Sequence, residues 1–272
     1  MDGYVFAGSI VTMGMETPED RMIATIIMAT GMPPMTSTPS RARPLRALLF
    51  DAGNTLLQMN YAAIADHLAS RGRVVTAHAV ADAEQRARVR LDDDLVTGSS
   101  TESTDTHGRY LRYILFHLGI TEEEEVQDVA EWRRGYNAPI GLWTVADPEA
   151  GAALARAKAV GLVVGVISNS NGMARSILEA TGLARDLDFV IDSGIVGVEK
   201  PDPRIFHLAL EHAGVSAAEA CYVGDLYSVD VLGARRAGLD AVLLDPRGYW
   251  GPRDCVLARG IDDAVRLCLL RI

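Results

Sequence analysis

The sequence is poor in cysteine: Cys221, Cys255 and Cys268 are odd in number and none forms a C-x-x-C step. That argues against both a disulfide framework and a structural zinc site, and a reducing cytoplasm is the expected location. Positive charge is also short. Twenty-six Lys and Arg against 36 Asp and Glu leave a formal net charge of −10, so no general positive field exists to hold a nucleic acid or an anionic membrane surface. Neither is expected as a partner, and an anionic substrate needs a local cationic pocket or a bound metal ion. G-x-S-x-G, G-x-G-x-x-G and Walker loops are absent, which leaves serine-hydrolase, dinucleotide-binding and P-loop readings without support. No repeat of fixed period occurs, which disfavours a solenoid.

What is present is an ordinary globular composition. The 272 residues are 49% hydrophobic and 23% charged, enough for one good core and a smaller second one. Residues 1–45 differ from the rest. They carry seven of the nine methionines and a Pro/Ser/Thr/Arg run from Pro33 to Pro44, and Glu16, Glu19, Asp20 and Arg21 interrupt the apolar parts. The segment therefore shows neither the apolar run of about 18 residues expected of a membrane span nor the basic-then-apolar order expected of a secretory signal. It reads as a poorly ordered extension, or equally as text upstream of the true start.

From Arg46 the character changes. Short apolar runs end abruptly in polar residues: Ala47–Phe50 before Asp51-Ala52-Gly53-Asn54-Thr55, Leu162–Ile167 before Ser168-Asn169, Phe189–Ile191 before Asp192, Cys221–Val223 before Gly224-Asp225, and Ala241–Leu244 before Asp245. Helical patterns separate them. Strands that need no polar alternation are buried on both faces, so the expected fold is α/β, a parallel sheet with helices on both sides. Ligands then bind beyond the carboxyl ends of the strands. Between the first unit and the second no convincing strand is found. Helical patterns run from Tyr61 to about Ser70, Thr76 to about Leu95, Asp105 to Leu118, and Thr121 to about Tyr136, with Thr121 expected as N-cap and Glu122–Glu125 in the first turn. Residues 59–144 are expected to form an all-helical insertion, and residues 46–58 with 145–272 the sheet-containing core.

The strand ends bring together a set of residues with complementary chemistry. Asp51 is placed to act as a nucleophile, and a second carboxylate beside it, Asp225, is tolerable only with a cation between them. A hard divalent ion such as Mg²⁺ would suit Asp51, Asp225 and a backbone carbonyl. Ser168 and the N–H of Asn169, at an expected helix N-terminus, would receive phosphate oxygens. Lys200 would neutralise charge on the transferring group.

With these residues in view the chain resembles the haloacid dehalogenase-like hydrolase superfamily. Phe50-Asp51-Ala52-Gly53-Asn54-Thr55-Leu56 is similar to its first motif, Val166-Ile167-Ser168-Asn169 to its second, Lys200-Pro201 to its third, and Val223-Gly224-Asp225 through Asp230-Val231-Leu232-Gly233-Ala234 to its fourth. The resemblance spans Arg46 to about Gly248, and four motifs in order make it specific. It implies a Rossmann-like core, a helical cap inserted after the first motif, and Mg²⁺-dependent phosphoryl transfer through an aspartyl-phosphate on a small phosphorylated metabolite. It also implies Asp51 as nucleophile, metal ligands at Asp51, the Gly53 carbonyl and Asp225, phosphate contacts at Ser168 and Lys200, and Asp230 as a partner behind the metal ligands.

One departure matters. Phosphatases of the superfamily usually carry a second Asp two residues after the nucleophile, and here that residue is Gly53. General acid–base help is worth ~10²–10⁴ in rate, so poor leaving groups should suffer most and acyl or aryl phosphates least. A catalytically weak metabolite-binding protein, or hydrolysis of a C–halogen or C–P bond, stays open. Against C–halogen cleavage, Asp225 preserves a metal carboxylate that displacement at carbon does not require. The C–P branch resembles chemistry that needs a cap lysine, and none occurs between Asp51 and Lys158. Among the six histidines only His117, on a helical segment with Tyr110, Tyr113 and Phe116, suggests a substitute acid. Trp132 and Trp143 are expected to fill helix–helix seams. Substrate identity and the choice between monomer and homodimer are open at this level.

Overall fold

The computed structural model describes residues 44–96 and 100–270. Residues 1–43, and with them nearly all of the expected N-terminal extension, lie outside the described residues. Leu45, assigned to that extension by its sequence, is buried in the core.

Six strands form one parallel sheet: β1 (Ala47–Phe50), β4 (Val163–Ser168), β5 (Phe189–Asp192), β6 (Ala220–Gly224), β7 (Asp240–Leu244) and β8 (Val256–Ala258), in the order β5-β4-β1-β6-β7-β8. Because the pairing is parallel throughout, the carboxyl ends of all six strands share one edge. The topology reverses around β1, which lies between β4 and β6, and such a switch point opens a crevice at the strand ends.

The two faces of each strand divide by alternation. Leu48, Phe50, Val164, Val166 and Val223 pack against α5 (Ala150–Ala159), α6 (Ala174–Ala180) and α10 (Ile261–Leu269). Ala47, Leu49, Ile167, Tyr222 and Leu243 pack against α8 (Pro203–Ala213) and α9 (Leu232–Arg236). This is the Rossmann-like α/β arrangement with helices on both faces. Cys221 and Cys268, both buried, bring their sulfurs to 3.3 Å between sheet and helix, a contact that an odd cysteine count conceals.

Between β1 and β4 the chain builds four helices: α1 (Tyr61–Ser70), α2 (Ala77–Leu95), α3 (Thr104–His117) and α4 (Glu123–Gly135). Asn60, Thr76 and Ser103 cap the first three, each accepting a backbone N–H at 3.1 Å. Thr121 does not cap the fourth. Its N-cap is Glu122, which makes no side-chain cap bond, and Glu123–Glu125 occupy the first turn, where their charge opposes the positive end of the helix dipole. The helices share an apolar centre of their own, including Ile64, Leu68, Leu91, Leu111 and Ile114.

The stretch is not free of strands. β2 (Leu57–Met59) pairs antiparallel with β3 (Trp143–Ala146), and this ribbon closes the base of the helical block. Both strands are too short to show a period against their surroundings. Trp143 consequently belongs to β3, not to a helix seam, whereas Trp132 stacks on His67 with ring centroids 4.6 Å apart. Among the described residues no helix is long and apolar enough to cross a membrane.

Candidate active site

The loop after β1 is held as a continuation of the strand: Asp51 N–H donates to the Val223 carbonyl at 2.9 Å. That bond points the Asp51 side chain into the crevice between β4 and β6. Three residues on, Asn54 takes a left-handed conformation (φ 54°), which asparagine tolerates better than other side chains with a Cβ. The turn aims its amide at the helical block, where Oδ1 accepts from Trp143 Nε1 at 3.0 Å and Nδ2 donates to Tyr110 OH at 3.3 Å.

Lys200 is the hub. It is 3% exposed, and its ammonium donates to Asp51 Oδ1 (2.5 Å), Asp230 Oδ1 (2.8 Å) and Tyr222 OH (2.9 Å). These use all three of its donors. Burial works against the charge, but Asp230 and Asp51 together hold the Lys200 pKa above its ordinary value. Burial pushes the Asp51 carboxyl up to about 6, with Lys200 opposing and Asp230 assisting.

Asp230 lies in a single π-helical turn, Tyr227–Val231, and is almost wholly buried. Besides Lys200 it accepts from Tyr222 OH (3.1 Å) and from the backbone N–H groups of Asp225 (3.1 Å) and Leu226 (2.9 Å). It therefore fixes the loop that presents Asp225. Gly224 is required for this approach, because a Cβ there would overlap the Asp230 side chain.

Asp225 is buried and lines the same cavity as Asp51. Burial drives its carboxyl well above the ordinary range, Arg88 opposes the shift, and Asp51 and Asp230 add to it. Its cationic partner comes from the helical block. Arg88 Nε on α2 approaches Asp225 Oδ2 at 3.3 Å, while Arg88 Nη2 binds Glu84 Oε1 and Oε2 at 2.9 and 2.7 Å. Glu84 is completely buried and is further held by Tyr61 OH at 2.9 Å and by Tyr110 OH. Sequence reading missed this network. Its signal was available as Glu84, Arg88 and Asp92, spaced four apart on an otherwise apolar face of α2.

Ser168 is the last residue of β4, and its hydroxyl lies 3.4 Å from the Asn169 carbonyl. Asn169 departs from expectation. No helix starts there: α6 begins at Ala174 with Met173 as N-cap, so the Asn169 N–H lies in a loop and not at a helix N-terminus. Its side chain instead ties motifs together, donating to Thr101 Oγ1 and the Lys200 carbonyl at 2.9 Å and accepting from Lys200 N–H at 2.8 Å. Asp192, at the end of β5, braces the same loop through the N–H groups of Gly172 and Ala174, both at 3.0 Å.

These residues open onto a cavity of about 430 Å³ between the strand ends and the helical block. Asp51, Gly53, Ser168, Asn169, Lys200, Asp225 and Asp230 all line it, together with Arg88, Glu102, His107, Arg133 and Trp143. His117 is not among the lining residues. His107 is, and burial holds its imidazole down near 4, with Arg133 acting in the same direction. Burial raises the Glu102 carboxyl to about 7, with Glu199 and Asp192 adding to the shift. Trp143 fills the space before Gly53, where a Cβ would stand 3.3 Å from Trp143 Cδ1.

The haloacid dehalogenase-like hydrolase family model matches residues 45–238. A haloacid dehalogenase-like hydrolase domain-containing protein 3 from Bos taurus is 31% identical over 207 residues, 74% of this chain and 82% of that protein. A phosphoserine phosphatase from Thermus thermophilus is 46% identical over 99 residues, 36% of this chain and 40% of its own length. Among solved structures, the L-2-haloacid dehalogenase RSc1362 superposes with a TM-score of 0.56 at 22% identity, covering 83% of this chain and 99% of that one, a likeness of fold. The shared motifs, the strand order and the extent of the match together place this chain in the haloacid dehalogenase-like hydrolase family.

Proposed function

We propose that the chain is a Mg²⁺-dependent hydrolase of a small phosphorylated metabolite, with Asp51 as nucleophile and residues 59–144 as a cap over the site. The observation that carries this reading is the charge of the buried cluster. Four carboxylates, Asp51, Asp225, Asp230 and Glu84, meet two cations, Lys200 and Arg88, an excess of two negative charges out of water. Such a cluster suits a divalent cation. Among the described residues no three His, Cys, Asp or Glu side chains are set to hold a metal by themselves, so the ligands would be Asp51, Asp225 and the Gly53 carbonyl, with water. That donor set is all oxygen, as Mg²⁺ prefers. Once bound, the ion would offset the charge of the two carboxylates and of the phosphoryl oxygens.

The protein's own groups supply the rest. Lys200 holds Asp51 Oδ1 and leaves Oδ2 to attack phosphorus, forming the aspartyl-phosphate as the alkoxide or phenoxide departs. Ser168 holds a phosphoryl oxygen, Lys200 contributes its charge beside the phosphoryl group while its donors stay on Asp51, Asp230 and Tyr222, and the helical block excludes bulk water. Water then attacks the acyl phosphate and restores Asp51. With Gly53 and Trp143 where family phosphatases usually place an acid, the departing group leaves without a proton from that position, which favours acyl and aryl phosphates.

One observation favours a second reading. Arg88 already places a cation on Asp225, and displacement at a carbon–halogen bond needs no metal. p-Nitrophenyl phosphate, acetyl phosphate and 2-chloropropionate, each with and without Mg²⁺, separate the two. Mg²⁺-dependent release of phosphate that disappears in Asp51→Asn supports the proposal. Metal-independent release of chloride supports the second reading. Phosphate release undiminished in Asp51→Asn overturns the assignment of the nucleophile.

A further inference from the structure

The cavity wall carries a cation with no role in the steps above. Arg133, on α4, is half-buried and lines the cavity. The cavity's other cations are engaged: Lys200 by Asp51 and Asp230, Arg88 by Glu84 and Asp225, and the exposed Arg134 by Glu131 at 3.9 Å. Among the described residues no carboxylate forms an ion pair with Arg133. Burial lowers its pKa, and Glu102, across the cavity wall, exerts the largest opposing influence. A guanidinium withdrawn from water without a partner is unfavourable unless an anion completes it.

The space between Arg133 and Asp51 has its own character. At about 430 Å³ the cavity far exceeds a phosphoryl group, and Leu91, Ile140, Leu142 and Trp143 give it apolar walls. That combination suits a short carbon chain with charge at both ends. Arg133 alone, with Glu102 nearby, balances one negative charge better than two, and its planar fork matches a carboxylate.

We propose that Arg133 is a specificity residue that binds a carboxylate, so that the substrate class is a small phosphorylated carboxylic acid lying between Asp51 and Arg133. The phosphoryl end rests on the function proposed above. The carboxylate end rests on Arg133 and the cavity.

3-Phosphoglycerate and glycerol 3-phosphate test this, because they differ only in a carboxylate against a hydroxymethyl group. Binding of each is measured by calorimetry on the full chain with Mg²⁺ in the Asp51→Asn background, and kcat/KM on the unsubstituted chain. A preference for 3-phosphoglycerate of at least about tenfold is expected, the discrimination of one charge-assisted hydrogen bond. Arg133→Gln should collapse that ratio toward one and Arg133→Lys restore part of it, with melting temperatures confirming that both variants fold. Equal affinities, a ratio unmoved by Arg133→Gln, or no binding of either compound overturns the proposal. Arg133-dependent preference without turnover of any phosphate ester keeps the carboxylate site and rejects the phosphatase reading. Turnover of p-nitrophenyl phosphate without such preference does the reverse.

Discussion

Arg88 and Asp225 belong to different layers of the molecule, one on helix α2 of the inserted block and the other at the end of β6, yet their side chains meet at 3.3 Å. The same guanidinium holds Glu84 with two nitrogens. The helical block is thus tied to the strand ends by a buried ion-pair network that includes a carboxylate of the candidate site.

Removing Arg88 should be costly for that reason. Arg88→Met leaves Glu84 and Asp225 buried without their cation, and truncating one partner of a buried pair costs roughly 3–5 kcal/mol. Urea denaturation is expected to show that loss. Glu84→Met in the same chain should recover part of it, because the orphaned carboxylate is gone. No recovery would mean that Glu84 draws little on Arg88.

Gly53 is a question of space as well as charge. Gly53→Asp alone places its Cβ against Trp143, and the rate on glycerol 3-phosphate should rise by no more than about tenfold. With Trp143→Ala opening the space, the same carboxylate should approach the ~10²-fold that general acid–base help commonly supplies. Steady-state kinetics on both variants decide. A full rise in the single variant would show that Trp143 is no obstacle, and no rise in either would show that leaving-group protonation does not limit the reaction.

Metal binding should be visible without turnover. An ion that binds only the folded chain stabilises it by about 2.7 kcal/mol at a hundred times Kd, a Tm shift of roughly 5–10 °C at this size. Calorimetric melting should show the shift with Mg²⁺, and EDTA should reverse it. Asp225→Asn should abolish it, while a shift that survives in that variant would place the ion elsewhere.

Asp92 predicts a pH dependence of stability. It is buried, accepts Ser228 N–H and Oγ at 2.8 and 2.7 Å, and burial raises its carboxyl from 3.8 to about 6. The folded chain therefore holds a proton that the unfolded chain releases, and stability falls as pH rises from about 4 to about 6. Asp92→Asn keeps Oδ1 as acceptor and removes the titration. It should match the parent chain near pH 3 and exceed it by roughly 1–3 kcal/mol at pH 8 in chemical denaturation. An advantage independent of pH would assign the effect to packing.

The parallel sheet was legible because its strands are buried on both faces, so apolar runs such as Ala47–Phe50 and Cys221–Val223 end sharply at the polar residues that line the crevice. Four helices of the block could be placed from their period, including one from Tyr61 to about Ser70, whereas the cap expected at Thr121 falls on Glu122. β2, β3 and β8 could not be placed: β2 and β8 have only three residues, and β3, Trp143–Ala146, contains a threonine and is only partly buried, so it forms no apolar run. The position of Asn169 was misread because a polar residue after a strand looks the same whether a helix starts there or, as here, five residues later at Ala174.

The sequence by itself determined the strand-end set of Asp51, Ser168 and Asp225, because each ends or follows an apolar run and parallel pairing brings all such ends to one edge. Lys200, expected with them, stands in the loop before Pro203–Ala213, eight residues past the end of β5. Only the tertiary structure decided that Lys200 joins Asp51 to Asp230, that Arg88 reaches Asp225, that Trp143 stands before Gly53, and that Arg133 lines the cavity. Those relationships join residues far apart in the chain, and no period or spacing encodes the rigid-body placement of a helical block on a sheet.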